Sequence, residues 1–550
     1  RMESHAPMNA VTFTSLGFWA AFAAVFLLVA GVQARWPQST AKPALRQALL
    51  LAFSLGFYVW VTQHLVSVLV VSVLLNHVAA QAIHRISGRM GSLWTAVGVA
   101  LNVAMLATFK YAYFIAEWIP PSTLTMDASA WRLEGWMLPL GISFFTFQAI
   151  SYVVDVHRNT IEQPASFLSF ATYITFFPQL VAGPIVRASH FLPQLESPKW
   201  VAPRGEDSRH VQLILAGLLK KVLLGDLVGA WIVDPAFDRP GDWFSWEVLL
   251  ALYGYSLQVY ADFSGYTDMA KGMAGLLGIH LPENFRFPYR ATSPSEFWRR
   301  WHMTLSSWWK DYVYIPLGGN RQLSSLSANL TLGAVVLAAW SWGELGGWLV
   351  VAGGALLVSA AMLMSHSFSR RVATAVNVFL VMLLGGLWHG AHLNFVMWGA
   401  LNGLVLAGWA LLPRSSSPPP LRFLGWVVTF HTVVFSRIWF RAGSLISWDE
   451  STSAPHPERA WETALALLHQ MQLPSPNWGD SVWAPSYLAG LGLMGAGYAL
   501  HLAPASWRTL LQEKTTSFPM WVTWCLWCAA TALAVWCSSS YHKPFIYWQF

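Results

Sequence analysis

Residues 371–414 read RVATAVNVFLVMLLGGLWHGAHLNFVMWGALNGLVLAGWALLPR, with no Asp, Glu, Lys or Arg between the two flanking arginines. A helical membrane crossing takes about 20 apolar residues, so a run of about twice that length must cross and fold back. Other charge-free stretches extend from Arg46 to Arg85, Glu162 to Arg187, Glu344 to Arg370, Asp480 to Arg508 and Lys514 to Lys543. Shorter apolar runs cover Leu93–Ile119, Met137–Val154, Val211–Val233, Val248–Tyr260, Leu330–Trp342 and Phe423–Phe440. Together they predict about eleven to thirteen spans or re-entrant segments. Inside lipid the backbone must satisfy its own polar groups, so the spans are expected to be helical. The fold class is an all-α polytopic membrane protein.

Composition excludes the main alternatives. Of 550 residues, 55% are hydrophobic and 11% charged, whereas a soluble domain carries about 25% charged residues. Such a chain cannot cover the surface of a cytosolic enzyme, and it is too apolar for a disordered or collagen-like protein. The net charge of +7 accompanies no basic stripe of a nucleic-acid module. It reads instead as the Lys and Arg that accumulate on cytoplasmic loops. Three cysteines give no disulfide framework, and the C-x-x-C of Cys525 and Cys528, within an uncharged run, reads as small packing residues. The first apolar run, Val11–Ala34, is long enough to span and is read as a membrane helix, not a cleavable signal. Arg1, before the first Met, is read as a remnant of processing.

One integral membrane domain is expected over residues 1–550. Residues 1–135 supply N-terminal spans, 136–440 the core, 441–480 an interfacial or loop insertion, and 481–550 C-terminal spans. Two segments read as interfacial. In Pro282–Gln322, Arg286, Arg290, Arg299, Arg300, Lys310 and Arg321 are set among aromatic residues, and this basic excess points to the cytoplasmic side. In Arg441–Asp480, residues 457–469 form an amphipathic helix in which Trp461, Ala464, Leu465 and Leu468 share a face. It either lies along the membrane surface or packs on the bundle. Ser415–Pro420 is a short linker. In Phe176–Arg187, Pro178, Gly183 and Pro184 break the helix, giving either a re-entrant hairpin that lines a cavity or a kinked span.

Chemistry must come from the few polar groups that apolar surroundings retain. His389 lies near the middle of the 371–414 run, and an ionisable group inside a span is a functional hypothesis by default. Desolvation disfavours the imidazolium, leaving a neutral base suited to taking a proton from a hydroxyl during acyl transfer. His302 sits in the basic aromatic segment. His389 and His392 at i,i+3 have no Cys, Asp or Glu beside them for a metal site, so no metal is expected. A G-x-S-x-G elbow and a P-loop are both missing from the sequence. Gly490-Leu-Gly492-Leu-Met-Gly495 lies in an apolar run without the strand that a dinucleotide site needs. What survives is histidine-centred acyl transfer, or transport.

The stretch Phe297-Trp-Arg-Arg-Trp-His302-Met-Thr-Leu-Ser-Ser-Trp-Trp-Lys-Asp311-Tyr-Val-Tyr-Ile-Pro-Leu-Gly-Gly-Asn-Arg321 resembles the signature of the membrane-bound O-acyltransferases (MBOAT). The branch it resembles most is that of bacterial alginate and exopolysaccharide O-acetylation membrane proteins. Further segments similar to that branch follow in the family's order. They are Gly141–Gln148, Phe176–Arg187, Lys220-Lys221, Tyr260–Asp268, Leu387-Trp-His-Gly390 and Pro544–Tyr547. Leu393 and Asn402 depart from the pattern, which leaves the position within the family less defined.

The resemblance implies a helical bundle around a transmembrane tunnel, in a multi-pass protein of the bacterial inner membrane. An acyl thioester, acetyl-CoA or another acetyl donor, would enter from the cytoplasm, and an acceptor hydroxyl from the opposite side. No bound cofactor is implied. His389 matches the catalytic histidine, and His302 matches a second signature position that holds or polarises a reactant. Trp301 and Trp388 would either shape the tunnel or serve as interfacial-belt or packing residues. Arg299, Arg300, Lys310 and Arg321 would either attract donor phosphates or set topology. Asp262 and Asp268 are expected to be structural. The implied function is O-acetylation of a secreted polysaccharide, directly or through a periplasmic acetyltransferase, alongside polysaccharide secretion machinery. D-alanyl or other acyl transfer to an envelope polymer, and transport without bond-making, remain as alternatives.

Overall fold

A computed structural model gives the architecture of the chain. It describes residues 15–35, 42–62, 65–86, 88–118, 138–197, 207–331, 333, 366–412, 419–444, 457–472, 485–504, 506–507 and 518–540. Among these, every regular element is helical. Among the described residues, seven helices are long and apolar enough to cross a membrane, so the chain is an all-α polytopic membrane protein. The apolar runs Leu330–Trp342 and Glu344–Arg370 fall mostly outside the described residues, as does the Ser415–Pro420 linker. Pro544–Tyr547 lies wholly outside them.

The chain forms two compact units. The first, residues 1–284, 448–454 and 469–550, begins with four membrane-length helices, α1 (Leu16–Arg35), α2 (Lys42–Thr62), α3 (Val66–Arg85) and α4 (Gly88–Trp118). Polar residues within these spans meet one another. Asn76 and Asn102 exchange amide hydrogen bonds of 3.1 and 2.6 Å between α3 and α4, the kind of polar contact that joins helices where lipid supplies no partner. Helix α5 (Ile142–His157) is buried on nearly every side, as expected of a helix apolar all round.

After α6 (Phe167–Thr175) the helical path breaks at Phe176, and the segment through Val186 is buried. Side chains satisfy the freed backbone. Gln179 donates to the Tyr173 carbonyl at 2.8 Å, and Tyr173 donates to the Val186 carbonyl at 2.7 Å. The Phe177 N–H donates to Ser54 at 3.2 Å. This is a broken, protein-enclosed backbone of the kind tolerated at membrane depth. The unit continues through α7 (Asp207–Leu219), a π-helical stretch from Lys220 to Leu227, and the long α8 (Ser245–Leu276).

The second unit comprises residues 285–447 and 455–468. Two short helices, α9 (Pro294–Trp298) and α10 (Met303–Trp309), precede three membrane-length ones, α11 (His366–His389), α12 (Leu393–Leu411) and α13 (Pro419–Ser444). Helices α11 and α12 cross at two glycines. A Cβ on Gly386 would lie 2.3 Å from the Phe395 carbonyl oxygen, and one on Gly399 would lie 2.5 Å from that of Met382. Only small residues permit this approach.

Helix α14 (Pro457–Gln470) is amphipathic as expected, but its buried face is Ala460, Ala464 and Leu467, whereas Trp461 and Leu465 are exposed. Alanine, being small, lets the helix backbone come close. Asn394 of α12 donates to the Ala460 carbonyl at 3.0 Å, and Trp461 packs on Trp439. The remaining C-terminal helices of the first unit are α15 (Pro485–Leu502) and α16 (Met520–Ser540). Cys525 and Cys528 lie on an exposed side of α16, so they are not packing residues against the protein.

Candidate active site

Both signature histidines belong to the second unit. The segment leading to His302 is built by local rules. Ser293 caps α9 by accepting the Glu296 N–H at 3.2 Å, and Pro294 follows in the first turn, where its missing N–H costs nothing. Glu296 accepts the Thr292 N–H at 2.8 Å and the Thr292 hydroxyl at 2.9 Å, and it is ion-paired to Arg300. Burial alone would raise the Glu296 pKa. The Thr292 and Arg300 contacts outweigh it and hold the carboxyl below its ordinary value.

Trp301 stacks on Phe297 with ring centroids 5.7 Å apart and meets Phe285 edge-on at 5.1 Å. The chain then turns sharply. His302 adopts a left-handed conformation, φ 42°, ahead of α10, and Phe287 does the same at φ 48°. Such strain in non-glycine residues persists only where surrounding structure over-determines it.

The turn puts the His302 side chain inside, 1% exposed, although the basic segment around it reads as interfacial. The aromatic residues fold inward and the cationic ones outward. Burial lowers the His302 pKa from its usual value to about 3, so this imidazole is neutral at any physiological pH.

His389 is the last residue of α11, and it is buried. Its ring is enclosed edge-on by Trp388 at 4.8 Å, Trp398 at 4.9 Å and Phe440 at 5.1 Å. Gly390 is required next to it, since a Cβ there would meet the Phe395 ring at 2.1 Å. His392 accepts the Asn394 N–H at 3.1 Å and caps α12. That accounts for its place beside His389 without a metal.

Helix α13 touches both the segment before His302 and His389 itself. Its Trp426 donates to the Tyr289 carbonyl at 2.9 Å, its Arg437 guanidinium lies 4.6 Å above the Trp301 ring, and its Phe440 touches His389. A second link runs from Trp398 to Trp298 at 5.8 Å. Aromatic contacts thus tie Trp301 to α13, which also touches His389, while Trp388 lies against His389 and Phe285 lies beside His302.

The cationic candidates are placed differently. Arg299, Lys310 and Arg321 are exposed, and Arg300 is held by Glu296 and by the Arg286 carbonyl at 3.3 Å. Sequence reasoning missed Trp398, Phe440 and Arg437. The signal for Arg437 was a single cation within the apolar run Phe423–Phe440.

The family model for "MBOAT, membrane-bound O-acyltransferase family" matches residues 74–373. The chain belongs to the membrane-bound O-acyltransferase family. It is 31% identical over 453 residues to the probable alginate O-acetylase AlgI of Pseudomonas aeruginosa, covering 82% of this chain and 76% of that protein. It is 31% identical to the peptidoglycan O-acetyltransferase of Helicobacter pylori, covering 74% of each. A more distant relative is the teichoic acid D-alanyltransferase of Bacillus subtilis, 25% identical over 54% of this chain and 67% of that protein. As a membrane-bound O-acyltransferase the chain is an acyltransferase, which removes transport without bond-making. Its membrane-length helices and bacterial relatives make it a multi-pass protein of the bacterial inner membrane.

Proposed function

We propose that this acyltransferase is an O-acetyltransferase serving a secreted polysaccharide, with His389 as the general base. The donor is a cytoplasmic acetyl thioester such as acetyl-CoA, and the acceptor is a hydroxyl presented from the periplasmic side. That hydroxyl belongs either to the polysaccharide or to a partner acetyltransferase of its secretion machinery. The observation that carries the reading is the enclosure of His389 by three aromatic rings at 4.8–5.1 Å. Such a wall excludes water and so protects the thioester from hydrolysis. The two relatives named as O-acetylating enzymes support acetyl as the group moved.

In the proposed reaction, His389 takes the acceptor proton as the oxygen attacks the carbonyl carbon. The tetrahedral intermediate collapses, the C–S bond breaks, and the departing thiolate receives the proton. His302, neutral and held in place by its turn, orients a reactant.

The test is purified protein in lipid nanodiscs, given acetyl-labelled acetyl-CoA and a polysaccharide acceptor. Transfer of label to the polymer or to a partner hydroxyl is expected. Transfer from a labelled D-alanyl thioester supplied in parallel, with none from acetyl-CoA, would replace the acetyl reading with the D-alanyl one.

A further inference from the structure

Arg437 lies in the membrane-length helix α13, its residue 5% exposed. Its guanidinium makes no hydrogen bond and no ion pair with any described residue, and Nε is buried. Its one contact of note is the face of Trp301 at 4.6 Å. A cation–π contact recovers only part of what it costs to bury an ionised guanidinium. Buried cations normally pair with carboxylates or carbonyls, and a lone one in a span marks function. Arg46 of the first unit illustrates the ordinary solution, with bonds to the Gln194 and Leu277 carbonyls at 3.1 and 2.6 Å.

The location narrows the missing partner. Arg437 and Phe440 are i,i+3 neighbours on one helix face. Phe440 touches His389, and Trp301, beneath the guanidinium, precedes His302. We propose that Arg437 binds the acyl carbonyl oxygen of the donor and stabilises the negative charge that develops on it as the acceptor attacks. This rests on the acetyl-transfer reading above. A planar, permanently charged donor fork suits this task. No further reactant is needed. His389 holds the proton while the C–O bond forms, the carbonyl electron pair moves onto the oxygen facing Arg437, and it returns as the C–S bond breaks.

The experiment compares wild type, Arg437→Gln and Arg437→Lys in nanodiscs with two donors, acetyl-CoA and S-acetyl-N-acetylcysteamine, which has no phosphate. Unfolding midpoints and calorimetric titration with sodium acetate are read in parallel. Arg437→Gln is expected to lower kcat by about 10²- to 10³-fold with both donors, leave KM within about twofold, and weaken acetate binding by at least about tenfold. Arg437→Lys is expected to recover part of the loss. An unchanged kcat in Arg437→Gln would overturn the proposal, and so would a loss seen only as raised KM for acetyl-CoA, which would make the residue a phosphate contact. A wild type inactive with both acetyl donors defeats the acetyl reading instead, and acetate binding then still decides on Arg437. If Arg437→Gln does not fold, acetate binding by Arg437→Lys equal to wild type overturns the proposal, and weaker binding supports it.

Discussion

The molecule holds buried cations in two contrasting ways. In the first unit, Lys221 is enclosed beside Asp226 and Asp262, the latter at 2.9 Å, and neighbouring Lys220 is paired with Asp268. Lys220 and Lys221 each have a carboxylate, and the cluster fastens the π-helical stretch to α8. In the second unit, Arg437 rests on an aromatic face, and the two histidines are walled by rings instead of acids. The difference separates architecture from chemistry. A saturated network stabilises the fold, whereas a cation with an open coordination sphere is available to a reactant.

The comparison can be broken first at its structural side. Lys221→Met leaves two carboxylates facing each other in a buried site, and removing one partner of a buried ion pair costs about 3–5 kcal/mol. The expected result, read from thermal unfolding in detergent, is a large drop in stability with acyl transfer lost only in proportion to folded protein. A fully folded but inactive Lys221→Met variant would place the cluster among the reacting groups.

A smaller effect sharpens the other side. Folded His302 resists protonation down to about pH 3, while an unfolded histidine titrates near 6.5. The unfolded chain therefore binds the extra proton as pH falls, and the folded state loses stability below about pH 6.5. Above about pH 7.5 the contribution is whole, and by pH 5 about 2 kcal/mol is lost. His302→Gln should lack this increment when wild type and variant are melted at pH 7.5 and 5.0. Identical pH dependence would show that the imidazole is not buried in its neutral form.

Much of this was legible in the sequence. The spans declared themselves because charge is scarce and its gaps are long. His389 declared itself as an ionisable group in the longest gap, and Asp262 and Asp268 are ion-paired as expected, though within α8 and not at a helix end. Other features depend on contacts distant in sequence. Arg437 acquires meaning only when α13 brings it over Trp301, and Trp398 and Phe440 only when they close around His389. The four cationic candidates Arg299, Arg300, Lys310 and Arg321 could not be sorted in advance, because their exposure follows from the turns at Phe287 and His302. Helix periodicity identified α14, but its inward face was set by alanines, which a reading weighted to large apolar residues passes over.

The central claim is that His389 performs the proton transfer of acyl transfer. Its most direct test is the transfer rate of His389→Gln in lipid nanodiscs, with the unfolding midpoint measured on the same sample. A loss of at least about 10²-fold in kcat is expected, with the midpoint close to wild type. A folded His389→Gln protein that transfers the acyl group at the wild-type rate would contradict the claim.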